Sequence, residues 1–268
     1  MNLFSAAPAS RSAAGGHLAP AIALSALLLL SLLPAKSIAW EWSWGGNSVS
    51  ASGVVKTETR AVSGYTGISL ALPAKVTIVQ GGREGVTIEA DDNFLPLIET
   101  VVERGTLKIR ATERNTNFKG KNFKINITVD AINVDQLSVA GSGDIVADRL
   151  KSPKLKASVA GSGDIDLKGL DVDALKVSIA GSGDFNASGI ANDFEGSIAG
   201  SGTLRAERLK TKNVAVKIAG SGDVSIWATE AIKLSVAGSG DVKYWGDPKV
   251  TQSVAGSGSI KRMGAAPN

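Results

Sequence analysis

Five aspartates occupy one position of a repeated phrase, and their carboxylates are the side chains of this sequence best suited to chemistry. They are Asp144, Asp164, Asp184, Asp223 and Asp241, and each directly follows a copy of Ala-Gly-Ser-Gly. Carboxylate oxygens are ligands that Ca²⁺ prefers, so a column of them could form weak cation sites. The alternative is structural, with each carboxylate accepting a backbone N–H of its own turn. The structural role is favoured, because calcium-binding nonapeptide repeats carry a different phrase every nine residues.

The same acids could supply the carboxylate pair of a polysaccharide hydrolase or lyase. The sequence contains no cysteine and one histidine, His17, which lies in the leader described below. Ser-His-Asp and Cys-His catalysis and Cys- or His-ligated zinc therefore have no residues to use. The acids also recur with the repeat, whereas a catalytic pair would break its period. The pattern favours a non-enzymatic binding or scaffold protein, with no catalytic residue and no cofactor.

Two tryptophans share a second repeat position. Trp227 and Trp245 each lie eight residues after the alanine of successive copies, and Tyr244 precedes the second. Other copies carry polar residues there, such as Asp148 and Lys168, so the position is expected to point outward. A stacked aromatic pair is typical of a sugar platform or a partner patch. It would serve equally as a cap over the last coils, and both interpretations remain open.

The element that must position these residues is the repeat itself. Ala-Gly-Ser-Gly occurs seven times at intervals of 18 to 20 residues, which indicates a solenoid in which each repeat adds one coil. The glycines are expected to form an inner corner of each coil, where an inward side chain has no room. They are Gly141, Gly143, Gly161, Gly163, Gly181, Gly183, Gly200, Gly202, Gly220, Gly222, Gly238, Gly240, Gly256 and Gly258.

Three apolar columns accompany the phrase, and they begin at Val139, Ile145 and Leu155. Stacked coils would join each column into a continuous core that a single coil could not bury. In one copy Phe194 is followed two residues later by Gly196, where another copy has Val177. A large residue beside a small one keeps the volume of a narrow core constant. The predicted fold is all-β, a single-stranded parallel β-helix.

Residues 1–39 have the features of a signal peptide, with Arg11 before an apolar stretch from Ile22 to Leu33 and cleavage after Ala39. An uncleaved membrane anchor is the alternative, but a span needs about 20 apolar residues. The expected location is periplasmic or secreted. Residues 40–59 are expected to be a flexible linker that opens with Trp40, Trp42 and Trp44. These tryptophans form either an aromatic anchor or an exposed leader, and the exposed leader is favoured.

Between Thr59 and Asp130 the repeat is absent but strand alternation continues. Strands are predicted over Gly67–Leu72, Lys75–Gln80, Gly85–Ala90, Gly105–Ala111 and Phe123–Val129, and a short helical turn over Asn93–Glu99. This region is expected to form irregular first coils that cover the end of the stack, because an uncovered end is an aggregation edge. Regular coils would follow from about residue 134. The β-helix domain is predicted to span residues 60–262, followed by a tail over 263–268.

The opening of this domain resembles the bacterial head GIN domain proteins, also called auto-transporter adhesin heads. The resemblance rests on Gly64–Ile68, Val76–Gly81, Val86–Asn93, Leu97–Thr100 and Gly105–Ile109, and on the Gly-Ser-Gly-Asp coils that follow. It implies an extracytoplasmic, right-handed β-helix without established catalytic residues, and a cell-surface glycan or protein as partner. The general right-handed crossover preference agrees with that hand. No basic run suggests nucleic acid. The sequence runs only ten residues past Gly258, which favours a soluble exported protein over surface display.

Overall fold

The computed structural model describes residues 47–121 and 123–267, so the predicted signal peptide and Trp40, Trp42 and Trp44 lie outside the described residues. Strands make up most of the described chain. The first strands are β1 (Ser48–Ser50), β2 (Val55–Arg60), β3 (Gly67–Ala71), β4 (Lys75–Gln80), β5 (Gly85–Asp91), β6 (Ile98–Glu103), β7 (Thr106–Ala111), β8 (Asn117–Lys119) and β9 (Asn126–Ala131). The repeat region holds β10 (Gln136–Gly141), β11 (Asp144–Ala147), β12 (Leu150–Gly161), β13 (Ile165–Gly181), β14 (Asp184–Gly200), β15 (Thr203–Gly220), β16 (Asp223–Gly238), β17 (Val242–Trp245), β18 (Lys249–Gly256) and β19 (Ile260–Gly264). A 3-10 turn covers Leu95–Leu97.

The repeats form a parallel β-solenoid, as the sequence predicts. Equivalent residues of successive coils pair in register, so that Leu155 lies beside Leu175, and Leu175 beside Phe194. The column that begins at Ile145 pairs in the same way through Ile165. Because each inward side chain stacks on its own equivalent, the three predicted columns form one core with most members under a few percent exposed.

Each coil has three sides. In the coil after Gly163, buried and exposed residues alternate from Asp164 to Lys168, from Leu170 to Asp173 and from Leu175 to Ala180. At each junction two neighbouring residues both face outward or lie half-buried, which marks a corner. We call these stretches and their equivalents the first, second and third sides. The Asp column lies at the start of the first side.

The Phe194 and Gly196 compensation is confirmed. Gly196 is buried and points inward, and a Cβ added there would lie 3.0 Å from Cε1 of Phe194 and 3.2 Å from Cγ2 of Val216. The space that a side chain at position 196 would need is therefore already occupied, in large part by the phenyl ring of Phe194. The core keeps its density because the glycine gives up the volume that phenylalanine adds.

The region before the repeats begins the stack. Strands β3 and β4 pair in parallel with β10 and β11, and β7 and β9 form the next layer outward. Strands β5 and β6 then pair antiparallel with β9 and β7, and β2 lies antiparallel to β5. The predicted strands are present, β4 with the predicted ends and the others with shifted ends, and Asn93–Glu99 contains the 3-10 turn. Strands β6 and β8 are not predicted, and β1 and all of β2 except Arg60 lie within the segment predicted as a linker.

The corner glycines differ in orientation, and the expectation that both point inward is wrong for the first of each pair. Gly183 is buried, and a Cβ there would fall on the carbonyl of Gly163 in the preceding coil and lie 2.6 Å from Cγ1 of Val159. Gly181 is half-exposed with a φ of +124°, and its Cβ would fall on the carbonyl of Gly161 in the preceding coil. Both glycines are therefore needed for the close approach of the preceding coil, and the first is needed for its backbone angle as well.

Candidate binding surface

The Asp column is a hydrogen-bonded ladder between coils. In each rung the carboxylate Oδ1 accepts the backbone N–H of the equivalent residue one coil further on. The donor and acceptor pairs are Asp164 to Asp144 at 3.3 Å, Asp184 to Asp164 at 2.8 Å, Thr203 to Asp184 at 3.2 Å, Asp241 to Asp223 at 3.3 Å and Ser259 to Asp241 at 3.0 Å. The sequence analysis predicts that each carboxylate accepts an N–H of its own turn. The structure places it in the next coil, so the ladder joins coils to one another.

The ladder has one break, at Thr203. That residue offers no carboxylate to the next coil, and the N–H of Asp223 donates to the carbonyl of Gly202 at 3.3 Å instead. Below the break, Oδ2 of Asp184 accepts from Arg205 at 2.7 Å. Most rungs are solvent-exposed, yet their carboxylates already have backbone donors.

The two ends of the ladder differ electrostatically. Burial raises the pKa of Asp144, and the negative charge of Asp164 raises it further. The hydrogen bond from the Asp164 N–H and the positive charge of Lys75 act in the opposite direction and lower it. At the other end, the hydroxyl and the backbone N–H of Ser259 hold the pKa of Asp241 below its ordinary value. The hydroxyl bond, from Oγ of Ser259 to Oδ1 of Asp241, measures 2.8 Å. The exposed end therefore favours the charged form, and the partly buried end opposes it.

Cation binding by this column would require several acids around one point. Within residues 47–121 and 123–267, no cluster of three His, Cys, Asp or Glu side chains is arranged to hold a metal ion. The rungs are spaced along the stack by the strand separation, about 4.8 Å, so neighbouring carboxylates form a line and not a cage.

The aromatic residues divide into two environments. Trp227 and Trp245 pair in register on successive coils and are half-buried at the corner that ends the first side. Nζ of Lys210, on the preceding coil, lies 5.7 Å from the Trp227 ring centroid, within the range of a cation–π contact. Tyr244 instead pairs with the buried Ile226 and packs against the core. The predicted patch is therefore a Lys-Trp-Trp ladder, with Tyr244 on the inner side.

A groove that the sequence did not predict runs along the corner between the second and third sides. It encloses about 430 Å³ and crosses four coils. Its floor is apolar and consists of Leu155, Leu175, Phe194 and Val214. Each floor residue is between 1% and 4% exposed, so these side chains belong to the core beneath the groove, and the outward side chains form most of its surface.

The rims of this groove are charged and internally bonded. On the third side Lys156, Lys176 and Glu195 form one rim, and Nζ of Lys176 lies 3.0 Å from Oε1 of Glu195. On the other rim Nδ2 of Asn213 donates to Oδ1 of Asp193 at 3.0 Å. The sequence period predicts that these residues face outward. It does not predict the groove, because the groove forms where two flat sides of the coil meet at an angle. A corner of that kind has no signature in a single repeat.

The part of the chain that the structure describes contains no helix with the length and hydropathy that a membrane span requires.

Comparison with known proteins gives a family and several solved structures. Residues 64–248 match the family model described as "putative auto-transporter adhesin, head GIN domain". A "putative adhesin" from Bacteroides fragilis is 27% identical, covers 80% of this chain and 100% of its own, and superposes with a TM-score of 0.74. A "putative lipid binding protein" from Parabacteroides distasonis is 25% identical, with coverage of 81% and 100% and a TM-score of 0.69. A "putative adhesin" from Parabacteroides merdae is 21% identical, with coverage of 81% and 99% and a TM-score of 0.64, a likeness of fold. None of the curated proteins matches the chain.

Proposed function

Because the chain belongs to the head GIN domain family, we propose that it is an exported, non-enzymatic β-solenoid that binds other molecules along its side, in the manner of an adhesin. The family description and the adhesin-like solved structures support the general role. The ligand class that fits best is an extended cell-surface molecule, a glycan or a protein segment.

The groove between the second and third sides carries this proposal. It combines the small outward side chains of Ala174 and Ala215, above the core residue Phe194, with charged rims, and a mainly apolar surface with a few polar groups is typical of ligand sites. It follows the long axis of the stack over four coils, or roughly 14 Å at the strand spacing. A rigid parallel stack holds such a line of contacts in place without an ordering cost at binding.

A non-enzymatic role is supported by what the acids already do. The carboxylates of the Asp column accept backbone N–H groups of the next coil. At the groove rim Glu195 forms an ion pair with Lys176, and Asp193 accepts a hydrogen bond from Asn213. These bonds leave the carboxylates in structural roles. A polysaccharide-cleaving activity is the alternative from the sequence, and the binding experiment below also tests it.

Binding is tested by presenting the exported chain to arrays of cell-surface glycans and matrix proteins. A rim variant, Lys156→Glu with Lys176→Glu, reverses two charges beside the groove. Its matched control is Lys168→Glu, which reverses an exposed charge on the first side, where the Lys168 side chain is 64% exposed. We expect the rim variant to lose binding at least tenfold and the control to retain it.

Equal loss in both variants would move the binding face away from the groove. Absence of binding to every array member would overturn the proposal, and so would the release of soluble fragments from a bound polysaccharide, which would indicate an enzyme.

Export is part of this proposal, and it depends on the leader. Cleavage after Ala39 would give a mature chain that begins at Trp40, and the intact mass of protein recovered from a secreting host measures this directly. A recovered mass that still includes Ile22–Leu33 would favour a membrane-anchored protein.

A further inference from the structure

The two ends of the solenoid differ in how their outermost strands meet solvent. At the N-terminal end the edge strand β2 carries Lys56, Glu58 and Arg60, and Nε of Arg60 lies 2.9 Å from Oε1 of Glu58. Strand β6 beside it carries Glu99 and Glu103. Charged side chains on an edge strand oppose pairing with another chain. This end is therefore protected against association.

The opposite end lacks this protection along β18. Within the described residues, β18 pairs with β16 on one side and has no strand on the other. Val250 and Val254 pair in register with Ile232 and Val236 and so hold inward positions. Ile232 and Val236 are 1% and 2% exposed, whereas Val250 and Val254 are 37% and 42% exposed. The strand thus offers core-type side chains together with an unpaired row of backbone donors and acceptors.

The neighbouring side of this last coil is closed in a different way. Arg262 stands in register with Tyr244, where the coil before has an inward aromatic side chain. Its Nε donates to the carbonyl of Gly246 at 2.7 Å, and the guanidinium lies 3.6 Å from Asp247. A polar residue at an inward position is typical of a capping repeat. The inward positions of this side thus hold the partly buried Ile260 and the polar Arg262, whereas β18 presents two exposed valines.

The inward residues of β18 read the same in both directions. Val250, Gln252 and Val254 alternate with Thr251 and Ser253, so the strand is symmetric about Gln252. In the other coils the position of Gln252 holds Val177, Val216 or Leu234 and no polar side chain in the paired register. A strand of this composition is self-complementary in an antiparallel pairing centred on its middle residue.

We propose that two copies of the chain pair end to end through β18, antiparallel and related by a twofold axis at Gln252. Val250 of each copy then packs on Val254 of the other, and Thr251 lies opposite Ser253. The two Gln252 amides meet at the axis, where each can donate and accept. Backbone bonds continue the sheet of the third side from one copy into the other.

A second copy is the occupant that the strand favours for two reasons. The only charge on β18 is Lys249, which this register places opposite Ala255, so no like charges meet. A head-to-tail arrangement would instead bring β18 onto β6, whose outward Glu99 and Glu103 are already paired with Arg110. A twofold pairing also closes on itself and gives a dimer, whereas a head-to-tail contact would continue into a filament.

Sedimentation velocity of the exported chain over a concentration series tests the proposal. We expect a monomer–dimer equilibrium, with the mass of the largest species twofold that of one chain. Val254→Lys should remove the dimer, because it buries a charge at the pairing edge. Val55→Lys is the matched control at the other end, where Val55 is 61% exposed, and it should dimerise like the unmodified chain.

A cysteine scan tests the symmetry, and the absence of natural cysteine keeps it free of background. Gln252→Cys faces its own copy across the axis and should form a disulfide-linked dimer on mild oxidation. Thr251→Cys should cross-link far less, because its equivalents lie two positions out of register. A monomer at every concentration, growth into filaments, or equal cross-linking of the two cysteine variants would each overturn the proposal.

Discussion

The backbone N–H of Asp184 donates to Oδ1 of Asp164 at 2.8 Å, so the side chain of one coil holds the backbone of the next. Asp184 in turn accepts the N–H of Thr203. The ladder runs beside the regular parallel pairing and adds a second set of bonds at the corner where the coil changes direction. It therefore stabilises the spacing between coils at a point where glycine leaves few side-chain contacts.

Loss of one rung should measure this contribution. Asp184→Ala removes the acceptor of the Thr203 N–H together with the surface contact to Arg205, which contributes little, and we expect the free energy of unfolding to fall by about 1 kcal/mol. Asp184→Asn should cost less, since its amide oxygen still accepts. Thr203→Ala is the control, because its side chain serves no rung. Chemical denaturation compares the three, and an equal loss for alanine at both positions would argue against the ladder.

Calcium should have no effect on thermal stability. The described carboxylates of the column form a line with backbone partners, and a ligand raises the melting temperature only when it binds the folded state. Melting curves with and without millimolar calcium measure this. An upward shift in the unmodified chain that disappears when Asp144, Asp164 and Asp184 are all changed to Asn would show that the column binds the cation.

The two ends of the ladder should respond to pH in opposite directions. The pKa of Asp241 is lowered by folding, so its contribution is present above the unfolded pKa, about 3.9, and is lost as pH falls through the folded value. The pKa of Asp144 is raised, chiefly by burial, so the folded state binds its proton more readily and ionisation of this group costs stability.

Asparagine at each end separates these effects. At neutral pH, Asp241→Asn should lower the melting temperature, whereas Asp144→Asn should leave it unchanged or raise it. Below the folded pKa of Asp241 the difference between the first variant and the unmodified chain should vanish. Melting temperatures from about pH 3 to pH 7 test this, and parallel curves for both variants would contradict the assigned shifts.

The first glycine of a corner should be far more sensitive to substitution than the serine after it. Gly181→Val combines a left-handed backbone angle with a Cβ on the carbonyl of Gly161, and each effect typically costs about 1–3 kcal/mol. The exposed Ser182 should tolerate alanine within about 0.5 kcal/mol. Thermal unfolding compares the two variants, and equal melting temperatures would mean that the corner is not under this constraint.

Phe194 and Gly196 should be coupled. Gly196→Val alone overfills the core and should destabilise by about 1–3 kcal/mol, while Phe194→Leu alone leaves a cavity. The double change recreates the combination of Leu175 and Val177 found one coil earlier. Its loss of unfolding free energy should therefore be smaller than the sum of the losses from the two single changes. A double-mutant cycle gives the coupling energy, and simple additivity would contradict the packing seen here.

Much of this fold is present in the sequence because each coil contacts copies of itself. A residue such as Leu175 stacks on its own equivalents, so a column of similar residues in the sequence is a column in the core. The same repetition located the Asp column and the inward Gly183. The N-terminal layers do not repeat, so sequence periodicity could not predict the antiparallel pairing of β6 with β7.

Other features required the assembled stack. Periodicity placed Asp164 at a corner, but the donor that it accepts from belongs to the next coil, and only the spacing of the coils brings the two together. The groove over Leu175 and Phe194 exists because two sides meet at an angle. Val250 and Val254 follow the buried pattern and are nevertheless exposed, since burial depends on a neighbour above. Sequence thus determined which residues face the core, and tertiary structure decided which of them are covered, because covering comes from the adjacent coil.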